Sequence, residues 1–558
     1  MTGRMNTLKK WYSSGEAAIW LSGAAVSVSI IIVLGLLLLI AVNGLAHFWP
    51  AKVGAFEYRP SADQVVQLVG EVRDEEVVAT DRAQQAGEWL VDPSQPTQQR
   101  LLLKVGNRDL YGLDFRWVLA GNIVATAYPG DLLVIERQEW GNYFGYLKSV
   151  KTGDGEVVED DKARGVMSVA IEKALNIRDE IHGIERGEIG RINHAMERQR
   201  LKKRRLELGD RLDAESLAEL ARDRGELDAK YEVLQTKLAL LYGELNRDEL
   251  VLTDAGGRVT VMPVGNVVRA YYPNSFSLTD KIGFYGAKIW EFVSAEPREA
   301  NTEGGIFPAI FGTVVMVLVM SVLVTPFGVL AAIYLREYAK QGFVTRLVRI
   351  AVNNLAGVPS IVYGVFGLGF FVYFLGGNID QLFYPEVAPA PVFGTPGLLW
   401  SSLTLALLTL PVVIVSTEEG LSRVPRAVRE GSLALGATKL ETLLRIVIPM
   451  ASPAMMTGMI LAVARAAGEV APLMLVGVVK LAPSLPIDMN APFLHLDRKF
   501  MHMGFHIYDV GFQSPNVEAA RPLVYATALM LVAVIVIMNL TAIRIRNSLR
   551  EKYRGLEQ

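Results

Sequence analysis

Apolar and polar positions divide the chain into one apolar run, a long mixed stretch and five further apolar runs. Residues 18–49, centred on SVSIIIVLGLLLLIAV, exceed the ~7–15-residue core of a signal peptide and carry no clear cleavage site, so they read as a retained transmembrane helix. Trp20, His47 and Trp49 stand near its two ends, as interfacial side chains do. The later runs cover 304–335, 351–375, 398–416, 457–479 and 522–543. Each is about long enough to cross a ~30 Å hydrocarbon core. The pattern predicts an α-helical polytopic membrane protein with six transmembrane helices.

The stretch from 50 to 303 follows other periods. Short β-like runs at 100–105, 115–119, 123–127, 132–136 and 143–150 are separated by Gly-Asn, Pro-Gly and Gly-Asp-Gly turns. From 162 to about 248 the chain is charged and helical. Leu220, Leu227, Leu234 and Leu241 recur every seventh residue, and Leu217, Tyr231, Leu238 and Leu245 fill the alternate seam, interrupted by Arg224. Leu208-Gly209-Asp210 offers a turn, which predicts an antiparallel coiled-coil hairpin. β-like sequence returns at 249–253, 258–263 and 266–272, so the hairpin is inserted between halves of one β-rich domain, a small sandwich or barrel.

Charge fixes the expected orientation. Basic residues gather in 1–17 (Arg4, Lys9, Lys10), in 336–349, in the central loop and in the tail after 543, whereas 376–397 has no Lys or Arg. The positive-inside rule then puts both termini inside, and the 50–303 domain with loops 376–397 and 480–521 outside. The expected division is a cytoplasmic N-terminus 1–17, helix one 18–49, an extracytoplasmic domain 50–303, a membrane core 304–548 and a cytoplasmic tail 549–558.

Composition narrows the chemistry. The net charge is −2, so bulk charge gives no sign of nucleic-acid binding, and the basic run RQRLKKRR at 198–205 reads as a solvated hairpin tip. No cysteine is present, which excludes disulfides, thiol catalysis and Cys-ligated metal. The nearest approach to a phosphate loop, Gly431-SLAL-Gly436-Ala437-Thr438, lacks the lysine, so the chain is not itself an ATPase. In the fifth run, Arg465 and Glu469 lie four apart, on one helix face. Ionisable groups inside a span mark a pathway or a ligand site, and an arginine fork suits an oxyanion. The alternative is a structural ion pair holding the bundle. In the third run, Asn353, Asn354 and Gly357-Val358-Pro359-Ser360 interrupt the apolar pattern, either as a cavity-lining break or as a simple proline kink. His502 and His506 have a metal-compatible spacing but no further ligand motif, and their aromatic- and Met-rich segment suits an amphipathic stretch at the interface.

The stretch from 430 to 449, EGSLALGATKLETLLRIVIP, reads as helix, tight turn and second short helix. Gly436 suits the helix end, Thr438 with Glu441 makes a capping box, and Pro449 ends or kinks what precedes it. This stretch resembles the EAA loop of ABC importer permeases, with Glu430-Gly431-Ser432, Gly436 and Ile446-Val447-Ile448-Pro449 at the family's spacing. The departures are small-for-small at 431 and 432, and Ile for Leu at 448. Four stretches sharpen the resemblance: NLAGVPSIVYGVFGLGFF (354–371), TLPVVIVSTEEGLSRVPRAVREGSLALGATK (409–439), ARAAGEVAPLM (464–474) and FHIYDVGFQSP (505–515). Together they resemble the PstA-type permease subunit of the phosphate ABC importer, with Val470 replacing the usual Thr. The likeness covers about 304–548 well, span one loosely and 50–303 not at all.

That resemblance implies a type I importer permease in the bacterial inner membrane, without a cofactor of its own. Its implied partners are a PstC-type companion permease, a PstB-type ATPase dimer and a PstS-type periplasmic phosphate-binding protein. Arg465, Glu469, Asn354 and Ser360 would lie on the substrate pathway. The 418–452 loop, through Glu430, Gly431, Ser432, Gly436, Ile446 and Pro449, would couple to the ATPase. Other readings are a permease for sulfate or molybdate, a membrane-anchored scaffold whose outer domain carries the function, and a phosphate-sensing role alongside transport.

Overall fold

The computed structural model describes residues 14–61, 64–85, 91, 94–514 and 517–553. The basic residues Arg4, Lys9, Lys10 and Arg554 lie outside the described residues. Helix α1 (Glu16–Ala46) exposes nearly every side chain, as expected of a lipid-facing span. It leans on the last helix at Gly44, where a Cβ would stand 2.9 Å from the Tyr525 carbonyl oxygen. Only glycine permits that approach.

Strands β1 (Gly54–Ser61), β2 (Gln64–Ala79), β3 (Thr97–Lys104), β4 (Phe115–Leu119) and β5 (Ile123–Ala127) form an antiparallel sheet in the order β4-β3-β2-β1-β5. The first two strands escape a hydropathy reading because β2 carries the run Arg73-Asp74-Glu75-Glu76. Backbone pairing, Glu76 with Arg100 and Val72 with Leu103, decides its conformation instead. A second sheet combines β6 (Leu133–Arg137), β7 (Tyr143–Lys151) and β8 (Val157–Glu159) with β9 (Glu249–Thr253), β10 (Val259–Pro263) and β11 (Val267–Tyr271). Leu147 faces Leu252 and Val150 faces Leu250, so strands from both sides of the intervening helices share one sheet.

Those helices are α2 (Asp160–His182), which continues through a wider turn at Gly183–Ile189 into α3 (Gly190–Leu208), and α4 (Ala214–Leu245), which returns beside them. Along α2, Ala163, Met167, Ala170, Ala174, Ile177 and Ile181 pack on the second sheet and root the pair in the domain core. On α4, Leu220 and Leu245 are buried and Leu227, Tyr231, Leu234, Leu238 and Leu241 half-buried, whereas Leu217 is exposed. Lys237 with Glu180 at 2.6 Å and Lys202 with Glu219 at 3.5 Å set the antiparallel register. At the far end Arg205 Nε donates to Glu386 Oε1 at 3.1 Å, so one residue of the basic run is seated on a loop of the membrane core.

Helix α5 (Leu278–Ser294) starts from a Ser277–Asp280 capping box. The pairing of Pro297 with Gly304 follows, and leads into α6 (Phe307–Ile333). Next come α7 (Phe343–Leu355), α8 (Ser360–Phe366), a π-wound stretch (Gly367–Gly376), α9 (Gly377–Phe383) and α10 (Leu398–Arg423). The chain then forms α11 (Arg426–Ala434), α12 (Lys439–Thr442), a π turn (Leu443–Val447), α13 (Ile448–Gly468) and α14 (Leu473–Val476). It ends with α15 (Met503–Tyr508) and α16 (Val517–Tyr553).

Among the described residues, six segments are long and apolar enough to cross a membrane: Ala18–Ala46, Phe307–Tyr338, Ser360–Phe383, Leu398–Arg423, Lys439–Gly468 and Ala520–Glu551. Helices α6, α10 and α13 form the centre, with Met316, Val324, Leu405, Val413, Ala462 and Ala466 in one core.

Two spans differ from the sequence expectation. The third does not run 351–375 but starts at Ser360, because residues before Pro359 form the separate helix α7. Pro359, at ψ 135°, is the last non-helical residue before α8, a boundary and not a break inside a span. The fifth ends at Gly468, not at 479, and begins before 457, because α12, the π turn and α13 run on as one span. Pro449 sits in the first turn of α13, where its missing N–H is tolerated after the π turn, so it does not end the helix. The segment around α15 is also not a surface stretch. His502 and His506 are buried, and the Met503 N–H donates to Thr313 Oγ1 at 3.0 Å.

Candidate functional site

Helices α10 and α13 run antiparallel. A Cβ on Gly458 would touch Ser416, and one on Gly420 would touch Ala454. Continuing that register places Arg465 alongside Thr409, close to the middle of α10 and therefore deep in the bilayer. The Arg465 Nε lies 3.6 Å from Glu469 Oε1, with the two side chains 35% and 20% exposed. They do not share a helix face as their spacing predicts. Glu469 is the first residue past the helix, extended at φ −78° and ψ 134°. The pair forms because the chain turns there, and Leu473 and Val476 of α14 are fully buried as it runs on between α8 and the start of α10. Pro472 presses on Gly364, where a Cβ would be 2.7 Å away. The terminal nitrogens of Arg465 have no hydrogen-bond partner among the described residues, so its fork remains able to receive an anion.

One and two turns from Arg465 on the same side of α13 stand Leu461 and Thr457. Both line a cleft of about 570 Å³ with Asn353, Ser416, Glu419 and Arg423. The cleft starts at Leu461, one turn along α13 from Arg465, and reaches Glu419 and Arg423 at the end of α10. Ser416, Thr457 and Glu419 are functional candidates that the sequence reading passed over. Their only signal was a polar residue inside VVIVSTEEG or MMTGMI. Asn354 is exposed and Ser360 half-buried, on either side of the α7–α8 boundary. The Tyr363 hydroxyl crosses that boundary and donates to the Leu355 carbonyl at 2.6 Å. The structure thus joins Arg465 with Glu469 but leaves Asn354 and Ser360 at the separate α7–α8 corner.

The second candidate element is the corner between α11 and α12. Gly436 closes α11 at φ +88°, and Thr438 caps α12 in a reciprocal box with Glu441. Ser432 is buried and shares a 2.8 Å hydroxyl contact with Thr442, which staples the two helices. Glu430 and Gly431 are exposed, and Ile446 is half-buried. Arg429 reaches Glu337 at 2.5 Å and the Leu421 carbonyl at 2.6 Å, and Lys439 lies over the Tyr338 ring at 4.7 Å. The corner is therefore tied to the end of the second span. It presents Leu435 at 90% exposure, with Leu433, Leu440 and Leu444 also exposed. Apolar tips on a polar corner mark a docking surface. No neighbour lies within 4 Å of a Cβ built on Gly436, so Gly436→Ala isolates backbone strain. It is expected to weaken the corner by about 1–2 kcal/mol, with Gly436→Asn less affected. Amide exchange across 431–442 measures this, and equal protection in all three proteins would refute it.

Comparison with known proteins places these features in context. The family described as binding-protein-dependent transport system inner membrane component matches residues 324–551. The phosphate transport system permease protein PstA of Mycobacterium leprae is 38% identical over 199 residues, 35% of this chain and 60% of that protein. PstA 1 of Mycobacterium tuberculosis is 36% identical over 245 residues, 44% of this chain and 71% of the relative. Among solved structures, an inward-facing MetNI methionine ABC transporter covers 47% of this chain and 98% of its own, at 16% identity and a TM-score of 0.33. The family match begins at 324, so the domain at 50–303 lies outside it.

Proposed function

The chain belongs to the PstA-type permeases of binding-protein-dependent importers, and from that membership we propose that it carries inorganic phosphate across the bacterial inner membrane. It is a multi-pass membrane protein of a transporter family and not itself an enzyme. The observation that supports the substrate reading best is Arg465 at mid-membrane, balanced by Glu469 and one helical turn from a cleft that holds Asn353, Ser416 and Thr457. An arginine there offers a fork to a tetrahedral oxyanion, and the neighbouring carboxylate keeps the empty site from holding an uncompensated charge.

In this reading a companion permease completes the channel, a binding protein delivers phosphate and an ATPase dimer drives the cycle. The α11–α12 corner docks on the ATPase through its exposed leucines and Glu430. Basic residues at 336–349 and 423–445 face the cytoplasm with both termini, so the large domain is periplasmic. The α2–α4 helices form an antiparallel coiled coil in that domain, which we assign to contact with the binding protein or the companion permease.

Phosphate uptake by the complete reconstituted importer tests the substrate. Unlabelled phosphate should suppress uptake, and sulfate or molybdate at the same concentration should leave it near its starting rate. Equal competition by either would make the chain a general oxyanion permease. Replacing 50–303 by a short linker should preserve uptake if the membrane core is the machine. Complete loss from an inserted, assembled complex would assign the function to the outer domain.

A further inference from the structure

Where the domain meets the membrane, a cavity of about 410 Å³ lies between the ends of spans one and six and the two sheets. That is within the ~300–1,000 Å³ range of ligand sites. Its membrane-side wall is formed by 47–51, directly after span one, and by Ser514, Ala520 and Leu523 at the start of span six. This places the opening at headgroup level of the leaflet on the domain side. Phe48 and Trp49 make the aromatic floor, with Phe48 5.0 Å from the Phe292 ring and Trp49 5.7 Å from the Tyr285 ring. Beside the opening, α5 exposes Leu278, Ile282 and Trp290 on a stripe without charge, as a helix lying on a bilayer surface does.

The walls carry charges of both signs, and their pairing is uneven. Contacts within the domain are tight, with Lys288 2.6 Å from Glu136 and Arg298 3.0 Å from Glu291. Two other pairs on the cavity walls are long: Lys104 to Glu303 at 3.4 Å, and Arg108 to Asp114 at 3.6 Å, where the Arg108 Nη2 is held by Glu299 at 3.0 Å and leaves Nη1 toward the cavity. Charge-assisted contacts close to about 2.7–2.9 Å when nothing holds the partners apart. Asp114 Oδ1 and Arg298 Nε are buried without hydrogen-bond partners, one an acceptor and the other a donor. An occupant that satisfies them supplies both oxygens and N–H groups. Inorganic phosphate supplies negative oxygens against walls that hold as many carboxylates as basic side chains. His47, pushed down to about 3 by burial and by the charges of Arg73, Lys104 and Lys288, stays neutral and adds no cation.

We propose that this cavity binds a phosphate ester bearing a primary ammonium, the headgroup of phosphatidylethanolamine. Its phosphate oxygens accept from Lys104, Arg108 and Arg298, and its ammonium donates to Asp114 and Glu303. The phosphate-transport reading neither requires nor excludes this site.

Native mass spectrometry of the full chain tests it, with titration by dioleoyl-phosphatidylethanolamine and, separately, dioleoyl-phosphatidylglycerol. One phosphatidylethanolamine per chain is expected to be retained, at least about tenfold tighter than phosphatidylglycerol. Lys104→Gln and Asp114→Asn should each weaken retention about tenfold with the melting temperature little changed. If either fails to fold, Arg108→Gln, at the half-exposed rim, carries the same expectation. Displacement of the lipid by soluble phosphoethanolamine would support the same chemistry and name the free ester as its source. Equal retention of both lipids, no retained lipid, or retention unchanged in the folded variants would overturn the proposal.

Discussion

Arg465→Gln is expected to lower phosphate uptake about a hundredfold while the chain still inserts and assembles, because a charged hydrogen-bonding contact is worth up to ~3 kcal/mol. Arg465→Lys should recover only part of this, since it keeps the charge and loses the fork. Glu469→Gln acts differently. It removes the counter-charge 3.6 Å away and leaves the guanidinium to hold the anion more tightly. The expected signature is a lower apparent KM with a reduced maximal rate, because release becomes harder. Uptake kinetics in vesicles, with assembly checked by co-purification, separate these outcomes. Near-normal uptake in both glutamine variants would make the pair structural. The anion contact would then move to Asn353, Ser416 and Thr457 in the neighbouring cleft.

Acid should loosen the loop that closes the domain side of the core. His502 and His506 are 1% and 2% exposed, and burial pushes each down to about 4. Around His506 the charged neighbours are Asp509, which favours its protonation, and Lys480, which opposes it. In an unfolded chain both histidines titrate near 6.5. The folded state therefore takes up protons later than the unfolded state. Stability is full above about pH 6.5 and falls as pH drops from there toward 4. The loss is roughly 2 kcal/mol per histidine by pH 5 and roughly 3 by pH 4. Asp488 does not confuse this window. Although burial opposes it, the Asn490 N–H, Arg498 and His495 hold its carboxyl well below the usual range. Its contribution is thus lost only below about pH 4. Melting of the purified chain at pH 7.5 and pH 5 reads the effect, and His502→Gln with His506→Gln should flatten it. Parallel melting of the wild type and the double variant across that range would exclude these histidines as the cause.

What the sequence determined by itself is what local physics determines. Six apolar stretches of bilayer length are legible because the hydrocarbon core rejects any interruption, and eight of the domain's strands because short β-like runs stand between turn residues. The Thr438–Glu441 box and the glycine turn at 436 are legible because a cap needs only residues within one helical turn. On α4 the heptad positions from Leu220 to Leu245 are buried or half-buried, whereas Leu217 is exposed.

Tertiary structure decided the rest. Apolar runs report burial without depth, so they could not tell that the third span begins at Ser360 after an amphipathic α7. Nor could they tell that the helix of the fifth ends at Gly468 and that a turn at Glu469 leads into the separate α14. That turn, not the i, i+4 geometry of a helix, brings Glu469 to Arg465. β1 and β2 depend on partners elsewhere in the chain, and Arg205 finds Glu386 across 181 residues. The cavity at the domain base draws its walls from four separated regions of sequence. Such contacts form only once the whole chain has closed, and no periodicity within a segment encodes which distant charge will face which.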